Sequence, residues 1–136
     1  MAVDQWGEAR IPLIRQVLIV EDSAADTLLL EMAFAEQAPD VEVHSVIDGT
    51  TAVARCLSSD PPQLVVLDMH LPGEAGWDVL ASLRRNVGAS LQVVCWSSHA
   101  HPDEVQAVLD QGALAYLEKP LGLTGFADLV DTILTL

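Results

Sequence analysis

The stretch LVVLDMHLPG, residues 64–73, decides the fold that we expect for this chain. A short run of apolar residues ends in one carboxylate, Asp68, and a turn signal follows at once. Such a run is typical of a strand that is buried on both faces of a parallel sheet. We therefore expect Asp68 at the carboxyl end of this strand, which is the edge where ligands bind in open α/β sheets.

A second short apolar run, VLIV at residues 17–20, ends in Glu21 and Asp22. If the two runs form adjacent parallel strands, three carboxylates converge on one crevice. Carboxylates that crowd together repel one another and raise one another's pKa unless a cation compensates them. Hard oxygen ligands with no Cys or His partner suit Mg²⁺. The sequence therefore predicts a metal site formed by Glu21, Asp22 and Asp68.

Two later strand-like runs bring a hydroxyl group and an ammonium group to the same edge. Residues 91–96 lead into Ser97, and residues 113–118 lead into Lys119, which is the only lysine of the chain. A metal ion and an ammonium group neutralise negative charge, and a hydroxyl group donates a hydrogen bond. This combination suits a phosphoryl group that travels to or from Asp68, because phosphoryl transfer depends mainly on positioning and charge stabilisation.

In their order and spacing, these segments resemble the receiver domain of bacterial two-component response regulators. The resemblance covers about residues 16–136, and it is carried by residues 17–22, 67–76, 93–97 and 112–120. It implies a flavodoxin-like (βα)5 fold, which is a doubly wound α/β sandwich with a parallel five-stranded sheet of order 2-1-3-4-5. The opening VLIVEDSAAD also resembles the small regulators that partner phytochrome-type kinases.

The resemblance implies a role for each residue at the predicted edge. Asp68 would be the phosphoacceptor, while Ser97 and Lys119 would contact the phosphoryl group. Tyr116 matches an aromatic residue whose inward or outward orientation is coupled to phosphorylation, although an ordinary half-buried tyrosine fits the sequence equally well. The implied ligands of Mg²⁺ are Glu21, Asp22, Asp68 and the backbone carbonyl of His70.

From Ser23 onward the chain alternates between helical and strand-like segments, which implies a parallel sheet with helices on both faces. Ser23 and Asp26 have the spacing of a helix capping box, and Thr124 is a candidate cap for the last helix. The last two helical segments frame the dimerisation face that is usual in the family. The candidates for a homodimer contact there are Ala107, Val108, Phe126 and Val130, although packing of the two helices on the sheet explains these residues equally well.

Composition excludes several classes of protein. The formal charge of −14 argues against nucleic-acid binding, which needs a basic face. Cys56 and Cys95 are predicted to be buried free thiols in a reducing cytoplasm. The first residues lack the pattern of a signal peptide, and no apolar run approaches the ~20 residues of a membrane helix. We expect a cytoplasmic protein without membrane contact, with a tail at residues 1–15 and one domain at residues 16–136.

We interpret the chain as a stand-alone receiver, a signalling switch rather than an enzyme, in a phosphorelay. It would take a phosphoryl group from a sensor histidine kinase and pass the signal on through protein contacts. One alternative is a Mg²⁺-dependent phosphohydrolase with an aspartyl nucleophile, although His70 stands where such an enzyme needs a second acid. Another alternative is a flavodoxin-like cofactor binder, although the first strand leads into acids rather than a phosphate-cradling loop.

Overall fold

The computed structural model describes residues 14–136 and shows helices alternating with strands. In chain order the elements are β1 (Gln16–Val20), α1 (Ala24–Gln37), β2 (Glu42–Val46), α2 (Gly49–Cys56), β3 (Leu64–Asp68), β4 (His70–Leu71), β5 (Glu74–Ala75), α3 (Gly76–Asn86), β6 (Gln92–Ser97), α4 (Pro102–Asp110), β7 (Ala115–Glu118) and α5 (Leu123–Leu134). The predicted alternation of helices and strands is present, and the runs at residues 17–20, 64–67, 91–96 and 113–118 correspond to β1, β3, β6 and β7 within one or two residues.

The five long strands form one parallel sheet in the order β2-β1-β3-β6-β7. Counted among these five strands alone, this order is 2-1-3-4-5, so the predicted flavodoxin-like fold is confirmed. The strands β4 and β5 pair with each other as a small antiparallel hairpin that the sequence analysis did not predict. The hairpin fills the segment between Asp68 and the start of α3.

The apolar runs are explained by two cores, one on each face of the sheet. Side chains alternate along a strand, so Leu18 and Val65 face one core while Val17 and Val66 face the other. The first core lies under α2, α3 and α4, and the second lies under α1 and α5. Both faces of β1 and β3 are therefore buried, and the polar residues that follow or end these strands lie at the carboxyl edge of the sheet.

The two predicted helix caps have different outcomes. The Ser23 side chain accepts a hydrogen bond from the Asp26 backbone N–H at 3.2 Å, which confirms Ser23 as the N-cap of α1. The prediction for Thr124 is wrong. The extended backbone at Gly122 turns into the helix at Leu123, so Thr124 already lies within α5 and makes no capping hydrogen bond.

The candidate residues for a homodimer contact are mostly unsuitable. Val108, Phe126 and Val130 are almost fully buried, because α4 and α5 pack these side chains against the sheet. Only Ala107 is partly exposed. For these three residues the packing explanation is therefore confirmed, while dimerisation through the same two helices stays a prediction.

Three further predictions concern the rest of the chain. Cys56 and Cys95 are buried free thiols as predicted, and burial raises their pKa values to about 11 and about 12. Of the predicted tail, only Ile14 and Arg15 lie within the described residues, and Ile14 packs partly buried against the core. Among residues 14–136, every helix is too short or too polar to cross a membrane.

Candidate functional site

The carboxyl ends of four strands position the predicted site residues. Glu21 follows β1, Asp68 ends β3, Ser97 ends β6 and Lys119 follows β7. Backbone hydrogen bonds continue past the strands, since the Lys119 N–H donates to the Ser97 carbonyl at 2.7 Å and the Met69 N–H to the Trp96 carbonyl at 3.0 Å. The edge is thus held rigidly by the sheet.

The three acids that the sequence assigned to a metal site lie together. Glu21, Asp22 and Asp68 each offer a carboxylate oxygen, and these oxygens all lie within 4.8 Å of one another. Glu21 and Asp68 are buried, whereas Asp22 is exposed. The pKa of Glu21 is raised to about 7, mainly by burial and to a smaller extent by the charge of Asp68, against the lowering effects of the hydrogen bonds from Lys119 and the Ser23 N–H. Two buried acids and one exposed acid form a donor set that fits a hard divalent cation.

Lys119 is the cation that this cluster holds in the structure. Its Nζ atom lies 2.8 Å from Glu21 Oε1, 3.0 Å from Asp26 Oδ2 and 3.7 Å from Asp68 Oδ2. Burial alone would lower the pKa of Lys119, but the bonds to Glu21 and Asp26 outweigh it and the pKa is raised. The ammonium group is therefore firmly charged, and it is closer to Glu21 and Asp26 than to Asp68.

Sequence reasoning missed Asp26 and Trp96 as partners of Lys119. Asp26 was assigned to a capping box, yet its carboxylate binds the ammonium group, while Glu21 Oε2 accepts from the Ser23 N–H. The Lys119 Nζ atom also lies 5.0 Å from the centroid of the buried Trp96 ring, within range of a cation–π interaction. A signal for Asp26 was available, because it is the acid in the first turn of the helix that directly follows the acidic pair.

Ser97 and Tyr116 are in contact at the same edge. The Ser97 Oγ atom donates to the His99 carbonyl at 2.6 Å and lies 2.9 Å from the Tyr116 hydroxyl oxygen. The Tyr116 hydroxyl donates to Glu104 Oε1 at 2.8 Å. Tyr116 is 9% exposed, so its ring is turned inward in this structure. The role of Glu104 was not predicted, because this residue looks like an ordinary acid in the first turn of α4.

His70 lies beside Asp68 through its backbone. The His70 N–H donates to Asp68 Oδ1 at 3.0 Å, which fixes the orientation of the carboxylate. The imidazole is exposed, and its Nε2 atom lies 3.7 Å from Glu104 Oε2. The use of the His70 carbonyl as a metal ligand stays a prediction.

A family model described as the response regulator receiver domain matches residues 17–131 of the chain. The chain therefore belongs to the family of response regulator receiver domains, as the sequence motifs predicted. Receiver domains act in two-component signalling, where they take phosphoryl groups from sensor histidine kinases and bind divalent metal ions. The fold, the acidic cluster and the lone lysine thus belong to a recognised class of signalling protein.

Two curated relatives match most of this chain but different shares of their own length. The response regulator Rcp1 of Synechocystis sp. is 30% identical over 124 residues, which cover 86% of this chain and 84% of Rcp1. The transcriptional regulatory protein TcrA of Mycobacterium tuberculosis is 39% identical over 108 residues, which cover 79% of this chain. That match covers only 41% of TcrA, so the chain spans less than half the length of this relative.

Solved structures of two response regulators are also similar. The phosphorylated cyanobacterial phytochrome response regulator RcpA has a TM-score of 0.79 at 27% identity, over 89% of this chain and 91% of RcpA. The Mn²⁺-bound form of Rcp1 has a TM-score of 0.76 at 29% identity, over 88% of this chain and 91% of Rcp1.

Proposed function

We propose that this chain is a phosphorylation switch in which Asp68 accepts a phosphoryl group from a phosphohistidine of a sensor histidine kinase, with Mg²⁺ as the cofactor. One observation carries the proposal. Asp68 is buried at the end of β3, its carboxylate oxygen lies within 4.8 Å of those of two further acids, and the chain's only lysine lies 3.7 Å away. Family membership and the Mn²⁺-bound form of Rcp1 support the metal assignment.

The two oxygens of Asp68 have different neighbours. Oδ1 accepts the His70 N–H, whereas Oδ2 faces the ammonium group of Lys119. We therefore assign the nucleophilic attack to Oδ2. A bond forms between Oδ2 and phosphorus, the bond between phosphorus and the imidazole nitrogen of the kinase breaks, and that nitrogen keeps the electron pair. The product is an aspartyl phosphate, a known type of covalent carboxylate intermediate.

The surrounding residues would stabilise the charge that this transfer brings in. When bound by Glu21, Asp22 and Asp68, Mg²⁺ supplies positive charge against the carboxylates and the phosphoryl oxygens. Lys119 would exchange its bonds with Glu21 and Asp26 for one with the phosphoryl group, and Ser97 would donate its hydroxyl proton to the same group. Such an exchange shifts the population between two arrangements of the edge, which is the signal.

The kinase that would phosphorylate this chain is part of the same proposal. Leu28 and Met32 on α1 are 55% and 52% exposed, one turn apart, on the helix that follows the acidic pair. We propose that this apolar strip docks a helical segment of the kinase. RcpA is described as a phytochrome response regulator, so a phytochrome-type kinase is the partner to test first. We also propose that the switch works in the cytoplasm and without nucleic-acid contact.

The test is a phosphorylation assay read by intact mass. The protein is incubated with acetyl phosphate at low temperature, once with Mg²⁺ and once with a chelator. We expect one phosphoryl increment that requires Mg²⁺, and peptide mapping should locate it at Asp68. Absence of the increment, together with a failure to bind beryllofluoride in the presence of Mg²⁺, would overturn the proposed function.

We expect the affinity for Mg²⁺ to increase with pH. Because the pKa of Glu21 is raised to about 7, this ligand is largely protonated below that pH, and Mg²⁺ must displace its proton. With one proton released per ion, the affinity rises up to about tenfold per pH unit below pH 7 and levels off above it. Titration calorimetry over this range measures the slope. A Glu21→Gln variant should bind more weakly and with a flatter slope, while Glu36→Gln on the exposed side of α1 should match the native protein.

The phosphohydrolase alternative receives no support from the site. A phosphohydrolase with an aspartyl nucleophile needs a second acid two residues after Asp68, and His70 occupies this position. The imidazole of His70 is exposed, and its Nε2 atom lies 3.7 Å from Glu104 Oε2. Rapid turnover of small phosphate esters would be the observation in its favour.

A further inference from the structure

The chain has a single tyrosine, and its hydroxyl group lies between two oxygen atoms from different elements. The Tyr116 oxygen is 2.9 Å from Ser97 Oγ on β6 and 2.8 Å from Glu104 Oε1 in the first turn of α4. Ser97 Oγ in turn lies 2.6 Å from the His99 carbonyl oxygen. These contacts form one continuous chain of hydrogen-bonding groups that runs from the loop after β6 to α4.

The number of protons in this chain is smaller than the number of contacts. The His99 carbonyl and the Glu104 carboxylate can only accept hydrogen bonds, so Ser97 and Tyr116 must supply two protons to three contacts. Burial raises the pKa of Tyr116 to about 12, so the phenol keeps its proton at neutral pH. A charged carboxylate is the strongest acceptor available, and it takes the Tyr116 proton. The Tyr116 oxygen can then only accept from Ser97.

From this geometry we infer that Glu104 is a positioning residue that holds Tyr116 inward and turns its hydroxyl into an acceptor for the Ser97 proton. The single Ser97 proton is then shared between the Tyr116 oxygen and the His99 carbonyl. This inference rests on the proposed function for its consequence. A phosphoryl group on Asp68 must draw that proton away from both acceptors. Glu104 would therefore influence how readily Ser97 serves the phosphoryl group, without itself touching it.

The other oxygen of Glu104 contributes little to this arrangement. Glu104 Oε2 lies 3.7 Å from the exposed imidazole of His70, which is beyond hydrogen-bonding distance. Its neighbour Asp103 is an exposed acid in the same first turn of α4. Asp103 therefore has a similar electrostatic relation to the helix, and it provides a matched control that separates the contact with Tyr116 from a general effect on α4.

The first experiment uses the single tyrosine as a reporter. Incorporation of 3-fluorotyrosine places one fluorine label in the protein, at Tyr116. Without any phosphoryl donor, we expect Glu104→Ala to shift the fluorine resonance toward its position in the unfolded protein and to increase its solvent isotope shift. Asp103→Ala should keep the native resonance, and Glu104→Gln, which retains an oxygen acceptor, should stay close to it. An unchanged resonance in Glu104→Ala, or an equal change in Asp103→Ala, would overturn the inference.

The second experiment tests the connection with phosphorylation. The rate of phosphorylation by acetyl phosphate is measured for Glu104→Ala, Tyr116→Phe and the double variant. If both residues act through one chain of hydrogen bonds, the double variant should change the rate by the same factor as Tyr116→Phe alone. Multiplication of the two single effects would contradict the inference. A native protein that takes no phosphoryl group and does not bind beryllofluoride would contradict the proposed function instead, while the fluorine comparison would still test Glu104.

Discussion

Replacing Asp68 by asparagine is expected to abolish phosphoryl acceptance completely, and the variant should be at least as stable as the native protein. The amide lacks the nucleophilic oxygen, but it can still accept the His70 N–H through Oδ1. It also removes one of three acids whose oxygens lie within 4.8 Å of one another. Lys119 keeps its closer partners, Glu21 at 2.8 Å and Asp26 at 3.0 Å. The substitution therefore removes repulsion and little attraction in the metal-free protein.

Two measurements on the Asp68→Asn variant check this prediction. Intact mass after incubation with acetyl phosphate and Mg²⁺ should show no phosphoryl increment, and urea unfolding in a chelator should give a midpoint no lower than the native one. Asp78→Asn on α3 is a suitable control, and it should be phosphorylated like the native protein. An increment that persists in Asp68→Asn would place the acceptor elsewhere. A lowered midpoint would show that the attraction to Lys119 outweighs the repulsion among the acids.

The fold could be predicted because its signals are local and repeated. The runs at residues 17–20 and 64–67 are apolar at every position, and a strand needs this only when both of its faces are buried. The order of the polar residues that end these runs then fixed the edge of the sheet. The hairpin of β4 and β5 could not be predicted in this way, because strands of two residues carry no periodicity.

The individual bonds within the site were less accessible to sequence reasoning. Asp26 and Lys119 are 93 residues apart, and Glu104 and Tyr116 lie on different elements. In each case the acid had a sufficient local explanation near a helix N-terminus, where acids are favoured by the helix dipole. Only the packing of α1 and α4 against the sheet edge shows which of these acids turns inward to meet a partner.

The structure also gives a physical picture of the proposed switch. The two groups that a phosphoryl group would need are already engaged, since Lys119 is bound by Glu21 and Asp26 and the Ser97 hydroxyl is bound by His99 and Tyr116. Phosphorylation would therefore replace existing bonds rather than add bonds to free groups. The free-energy difference between the two arrangements is then a difference between similar sets of interactions, which keeps both states accessible.

Gly76→Ala is expected to lower the free energy of unfolding by about 2 kcal/mol or more, because overpacking beside a fixed backbone is costly. A Cβ atom at Gly76 would lie 2.5 Å from the Met69 Cα atom and 2.7 Å from the Met69 sulfur. The sulfur can move, but the Met69 backbone is held by hydrogen bonds to Trp96 at 3.0 Å and to Gly76 itself at 3.1 Å. The gain in helix propensity from alanine offsets at most about 1 kcal/mol of this cost.

The Gly76→Ala substitution should also slow phosphorylation, because Met69 directly follows Asp68 and a displaced Met69 backbone turns the carboxylate away from Lys119. Urea unfolding and the acetyl phosphate assay measure the two effects. Gly122→Ala is the matched control, since its backbone is extended and a Cβ atom there meets nothing within 4 Å. The control should lose at most about 1 kcal/mol, because alanine is a poorer helix N-cap than glycine. Equal unfolding midpoints for the two variants would mean that the Met69 backbone moves at little cost in free energy. The prediction that this turn holds Asp68 rigidly in place would then be wrong.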